Sequence, residues 1–437
     1  MENPSWYAHR SQILGGKDLA ALNVPVLSLS ERDGRWSRLK EKMHLHGLDA
    51  LVMVGSDVNS GMGMANVRYV TQIGTMLGAY VVFPLVGSPT MFYGAPHMHL
   101  PGSWQRVPGR WLDDVRPVAG VRGVLEAIAE RGLSHAHLGL VGHRDMLSAH
   151  TQLPAFFVDR LRRELGGAVI SDATSLLEEM RTIKSEEELG FLRRAGEVAR
   201  RRIDRLAETA RAEATEADVW AAMDHEMIIA GGEPSTFNML SSGPAVGLES
   251  DSRVMGLLHG SEVPFTGTMR ELSEGDLVIC AFQTSYGGYL ASTEFSVFLG
   301  EAPPELLRLH EAGAQIIRMA EELFVPERPL REIYTTFHDF TAEEGLDFVK
   351  LGFHGQGLAS PEFPTMVYRD TPDQPLARRG LGDLRLREDM VFGLSVDLHD
   401  PSWRTDVGLM IGDTVRVTPA GGEYLCGIPL DLFEVAP

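Results

Sequence analysis

Four apolar runs of strand length, Ala50–Val54, Ala79–Pro84, Pro89–Tyr93 and His137–Val141, interrupt the first third of the chain. Helical stretches at Glu31–His46, Val121–Arg131 and Pro154–Leu165 stand around them. Continuous apolar runs of this length suit strands buried on both faces, and the helical stretches supply the cover. The alternation predicts an α/β domain over residues 28–174. Gly47 closes the first helix, because a glycine just past the last periodic residue ends a helix at no steric cost. Residues 1–27 carry mixed polarity without a period and read as an N-terminal arm.

The texture changes at Ser175, where residues 175–211 read as a charged helix pair and open a second domain over 175–437. Within it Ser185 precedes Glu186, Glu187 and Glu188, a good N-cap: the hydroxyl accepts an orphan amide and the carboxylates favour the positive end of the helix dipole. Beyond a Gly/Ser-rich turn at 241–244, strands with clear alternation are expected at Asp276–Phe282, Tyr289–Leu299, Met390–Leu398 and around Val407–Thr418. Between them, Glu305–Leu323 places Leu306, Leu309, Ala312, Ile316, Met319, Ala320 and Leu323 on one stripe, a core-facing helix. The segment Pro361–Arg387, rich in Pro, Arg and Asp, reads as a long loop of the kind that often borders active sites.

With 437 residues the chain exceeds one ordinary domain, which agrees with two. Its 40 Lys and Arg against 60 Asp and Glu leave a formal charge of −20, which repels phosphate backbones and anionic headgroups. Nucleic acid and membranes are therefore not expected partners. No window reaches about 18 uncharged apolar residues, and the first residues lack the apolar core of a signal peptide. The two cysteines, Cys280 and Cys426, form neither a disulfide framework nor a zinc motif, so a reducing cytoplasm is the expected location.

Six fragments in order then resemble the creatinase/aminopeptidase/prolidase family of pita-bread enzymes. They are IKSEEE (183–188), FNMLSSG (237–243), EGDLVICAFQTSYGGYLASTEF (274–295), FHGQGLASPEFP (353–364), DMVFGLSVD (389–397) and GLMIGDTVRVT (408–418). The resemblance implies an α/β N-terminal domain followed by an α+β pita-bread catalytic domain, and a homodimer. It also implies five metal-ligand positions, which in metal-binding members carry two aspartates, one histidine and two glutamates. In this chain those positions are Ala281, Ser292, His354, Ser395 and Gly412. Divalent ions held by oxygen donors need carboxylates for coordination and for charge, so no metal and no other cofactor is expected.

Creatinase is a metal-free precedent in the family, cleaving a C–N bond with histidine and glutamates. Glu294 resembles the creatinase carboxylate that grips the substrate, while Ser395 departs from a second glutamate there. Strand alternation turns Ser292 and Glu294 to one side, and Ser395 and Asp397 to one side of another strand. His354, Glu294 and Asp397 are the candidate catalytic residues, with His259 as a weaker candidate for protonating a leaving nitrogen. Glu362, Phe353, Ser292 and Ser395 are candidate substrate contacts. Arg68, in NVRYVT (66–71), resembles an N-terminal family motif and could meet a substrate carboxylate, though a surface ion pair is the plainer reading.

The expected activity is a metal-independent, creatinase-like hydrolysis of a C–N bond in a small non-peptide substrate. The alternatives are a lyase on the same fold, a non-catalytic binding protein, and an Xaa-Pro peptidase-like metalloenzyme. The last requires a displaced alignment in which Asp397, His399, Asp406 or Asp413 build another site.

Overall fold

The computed structural model describes residues 25–55, 63–74, 78–93, 111–117, 120–142, 153–233, 237–245, 268–367, 381, 384–404 and 407–435. The expected arm over 1–27 thus lies almost wholly outside the described residues. Two compact units divide the chain, Met1–Arg181 and Thr182–Pro437.

In the first unit, helix α1 (Leu29–Leu45) begins where the Ser28 hydroxyl accepts the Glu31 amide at 3.0 Å. Helix α2 (Ala65–Thr71) follows strand β1 (Ala50–Gly55), which is buried along its whole length. Strands β2 (Ala79–Pro84), β3 (Thr90–Tyr93), β4 (Asp114–Pro117), β5 (His137–Val141) and β6 (Val169–Asp172) complete a sheet of order β4-β3-β2-β1-β5-β6. Helices α3 (Gly120–Glu130) and α4 (Ala155–Glu164) pack Val124, Ile128, Phe157 and Leu161 into its core. The expected strand and helix positions are all occupied.

Helix α5 (Thr174–Thr182) explains why the division falls after Arg181, later than the junction read at Ser175. Tyr69 Oη donates to the Met180 carbonyl at 3.4 Å, Arg181 is bonded to Asn66, and Lys42 Nζ meets Glu179 at 2.9 Å. These bonds tie the helix to the first unit. Arg35 is fully buried there, bonded to Glu31 at 2.6 Å and lying 4.2 Å from the Tyr69 ring centroid.

The second unit opens with α6 (Glu186–Thr209), whose start is a capping box: Ser185 Oγ accepts the Glu188 amide while Glu188 accepts the Ser185 amide. Helix α7 (Glu216–Ile229) starts with the same device, built from Thr215 and Asp218. One antiparallel run joins β7 (Asn238–Pro244), β8 (Asp276–Tyr286) and β9 (Tyr289–Leu299). The β8–β9 turn is Gly287-Gly288 with φ of 58° and 84°, the left-handed pair that a two-residue hairpin turn requires.

A second sheet holds β10 (Asp347–Gly355), β11 (Glu362–Val367), β12 (Val391–His399), β13 (Gly408–Ile411), β14 (Thr414–Thr418) and β15 (Gly421–Tyr424). Strand β16 (Phe433–Val435) runs parallel to β9 at the edge of the first sheet. The presence of β11 corrects the reading of 361–387 as a loop: its N-terminal part pairs with β10, a tertiary partner that local composition cannot reveal. Residues 368–380 of that segment lie outside the described residues.

Helix α8 (Pro304–Leu323) buries Leu306, Leu309, Ala312, Ile316 and Ala320, as its stripe requires, and α9 (Leu330–Glu343) follows it. His310 is buried on α8, and burial pushes its imidazole pKa down from 6.5 to about 4, opposed by the charges of Glu311 and Asp431. Between those two values the unfolded chain binds the extra proton, so stability falls as pH drops. Its share of the loss between about pH 7 and about pH 5 is roughly 2 kcal/mol. Urea unfolding of His310→Gln should show that much less acid sensitivity than the unaltered protein; an identical pH slope would contradict it.

Candidate active site

In the second unit the two sheets meet along β9. Glu294 and Gly412 exchange both backbone hydrogen bonds, at 3.0 and 2.9 Å. Ser292 and Thr414 are joined through the Thr414 hydroxyl at 2.8 and 3.0 Å, and Ser296 Oγ donates to the Met410 carbonyl at 2.9 Å. Residues two apart share a face, so this seam carries Ser292, Glu294 and Ser296 together. On the second sheet, β10 and β12 pair Lys350 with Asp397, Gly352 with Ser395 and His354 with Gly393. These positions line one face.

Glu294 is the centre of the charged part. Its Oε1 lies 3.2 Å from Lys350 Nζ, and its Oε2 accepts the Val396 amide at 3.3 Å. Asp397 is hydrogen-bonded to the same carboxylate; burial and the Glu294 charge hold its carboxyl well above the usual range, against the opposing pull of Lys350. Burial and the neighbouring Glu294 charge thus favour the protonated form of Asp397. Asp397 Oδ1 has no hydrogen-bond partner among the described residues.

The neutral part surrounds Ser292. Its hydroxyl donates to Gln356 Oε1 at 3.2 Å and lies 3.1 Å from Ser360 Oγ. Ser360 Oγ in turn donates to Gln356 Oε1 at 2.6 Å and accepts from Gln283 Nε2 at 2.7 Å. Gly393 connects this network to the histidine: a Cβ there would stand 2.7 Å from His354 Cε1 and 3.1 Å from Gln356 Oε1. His354 Nδ1 faces the Gly355 carbonyl at 2.9 Å. Burial pushes the His354 pKa down to about 4, helped by the Lys350 charge, so the imidazole is neutral at physiological pH.

These residues do not fit a pair of divalent ions. Ala281 and Gly412 offer no donor, and a Cβ at Gly412 would lie 2.2 Å from the Leu394 carbonyl oxygen. The Ser292 hydroxyl is engaged in a neutral network, and an ammonium stands against Glu294. Asp413, one candidate for an alternative site, accepts the amides of Thr414, Cys426 and Ile428 at 2.6 to 3.0 Å and so ties the segment after β15 to the start of β14. His399 faces Asp347 at 3.7 Å, and Asp406 lies outside the described residues. Among the described residues no group of three or more His, Cys, Asp or Glu side chains could hold a metal ion.

Of the residues read from the sequence, Glu294, Asp397, Ser292, Ser395 and His354 share the site. Phe353 does not: it points to the opposite face of β10, fully buried, with its ring 5.2 Å from Phe324 and 5.5 Å from Phe392. It is core, because its neighbour His354 faces the site and alternation sends it the other way. Glu362 is buried and ion-paired with Lys184 at 2.5 Å. Arg68 belongs to the first unit, where its guanidinium lies against Gly74. His259 lies outside the described residues.

Four polar members were not anticipated: Lys350, Gln356, Ser360 and Gln283. Period-two counting from His354 reaches Lys350 and Gln356, and that signal was available. Among the described residues no helix is long and apolar enough to cross a membrane.

Residues 190–419 match metallopeptidase family M24, and the chain belongs to that family. It is 28% identical over 267 residues to the probable dipeptidase PepE of Mycobacterium tuberculosis, covering 60% of this chain and 63% of that protein. The chain thus spans less than two thirds of that relative. Ectoine hydrolase of Halomonas elongata is 25% identical over 291 residues, covering 62% and 65%. The crystal structure of X-Pro aminopeptidase from Thermotoga maritima superposes with a TM-score of 0.73 at 18% identity, over 92% of this chain and 99% of that one. The fold is the pita-bread fold of these enzymes.

The Lys184–Glu362 pair gives a stability test independent of chemistry. Both side chains are almost completely buried, so removing one partner strands the other charge. Lys184→Met should cost about 3–5 kcal/mol in denaturant unfolding. Lys184→Met/Glu362→Leu should regain most of it; equal losses in both variants would show that the pair is not what matters.

Proposed function

We propose that this chain is a metal-independent, creatinase-like hydrolase of a C–N bond in a small non-peptide substrate. Membership of the M24 family and hydrolase relatives support an enzyme of this class. The observation that carries the finer reading is the Glu294–Asp397 pair beside Lys350, built where the family's metal ligands are missing. Such a pair supplies an acid, and the neutral His354 on the same face supplies a base.

In this mechanism His354 takes a proton from water as its oxygen attacks the substrate carbon. Asp397 gives its proton to the departing nitrogen, which leaves as a neutral amine because an amine anion is a poor leaving group. The C–N bond breaks, and the proton on His354 returns to the carboxyl pair, closing the cycle. The unpartnered Asp397 Oδ1 is the position a substrate group would meet. The hydroxyl and amide network around Ser292 orients the rest of a small polar molecule. No cofactor enters the scheme.

A small molecule is the partner, and the enzyme works as a cytoplasmic homodimer. Two buried cysteines free of disulfide and the family resemblance support that placement. An elimination on the same groups is the competing chemistry, since it too needs an acid and a base.

Glu294→Gln and Asp397→Asn should each lower turnover of small amides and ureides by roughly 10²–10⁴-fold while circular dichroism stays unchanged. Turnover in oxygen-18 water should place the label in the product. Unlabelled product would turn the reading to a lyase, and chelator-sensitive turnover with stoichiometric divalent metal would overturn it.

A further inference from the structure

The creatinase resemblance implies that Glu294 grips the substrate, as a carboxylate would grip a cationic group, yet in this chain three partners already meet that carboxylate. They are the Lys350 ammonium at 3.2 Å, the Val396 amide at 3.3 Å and the Asp397 carboxyl. The fourth side is closed by Gly412, where an added Cβ would stand 3.1 Å from Glu294 Oε2. The Glu294 side chain is 6% exposed and that of Lys350 32%, so the ammonium covers the carboxylate on the open side.

A second cation brought to this position would face the ammonium, and among the described residues the other carboxyl group beside it, Asp397, is held toward its uncharged form by burial and the Glu294 charge. Like charges at close range in a desolvated pocket repel strongly. A neutral amide or ureide carries no such penalty, and its N–H and C=O groups match the hydroxyl and amide groups of Ser292, Gln356 and Ser360.

We propose that Lys350 is a specificity-determining residue that occupies the cation position on Glu294, so that the group cleaved in this site is an uncharged amide or ureide rather than a guanidinium. This rests on the C–N hydrolysis reading for its substrate class, whereas the occupancy of the cation position stands without it.

Two measurements test the two halves. Hydantoate and guanidinoacetate share one skeleton and differ only in a neutral ureido against a charged guanidinium group. Calorimetric titration of the full chain should favour hydantoate by about tenfold or more, and Lys350→Met should move the ratio by about tenfold toward guanidinoacetate. Equal or tighter binding of guanidinoacetate by the unaltered protein would overturn the proposal, as would an unchanged ratio in the variant.

The second measurement needs no substrate. Lys350→Ala leaves Glu294 without its counter-charge, so ethylammonium chloride should raise the melting temperature of that variant above the effect of equal sodium chloride. The gain should be absent in the unaltered protein and in Lys350→Ala/Glu294→Gln. Loss of this rescue overturns the proposal whatever the ligands do. Rescue without binding of either isostere removes the C–N reading and the substrate class with it, leaving only the cation position.

Discussion

A carboxylate taken out of water must be given a counter-charge and hydrogen bonds, or it will not remain charged. Glu294 is buried at the seam between the two sheets of the second unit, and the surrounding structure answers this requirement with residues from two strands. Lys350 comes from β10, and Val396 and Asp397 come from β12. The seam itself is held by the backbone exchange between Glu294 and Gly412 and by the shared hydroxyl of Thr414. Charge satisfaction and sheet assembly are therefore one construction.

That construction gives the M24 fold a different electrostatic character from a metal centre. The Lys350 ammonium stands against one carboxyl group and the other, Asp397, is held toward its protonated form, where a metal-binding relative would gather four carboxylates around two ions. The network beside the pair is built from groups that donate and accept without charge, namely Ser292, Gln356, Ser360 and Gln283.

Much of this was legible before folding was considered. Strand alternation placed Ser292 with Glu294 and Ser395 with Asp397, and Ser185 is the N-cap of α6 that its residues suggested. Phe353 stands next to His354 in the motif but in the core in space, because adjacent strand residues face opposite ways. The β11 strand escaped notice because its pairing comes from β10, and nothing local in Glu362–Val367 announces it. Lys184 and Glu362, 178 residues apart, could not be matched by any local pattern.

Sequence alone determined that positions 281 and 412 supply no side-chain metal donor, because no fold can draw a carboxylate from an alanine or a glycine. It also determined which strand residues share a side, through the fixed two-residue period of the backbone. Only the tertiary structure decided that Lys350 meets Glu294, 56 residues away, and that Asp397 shares that carboxylate. The reason is physical: periodicity sets the face a side chain points to, whereas strand register and the packing of one sheet against another set what it finds there.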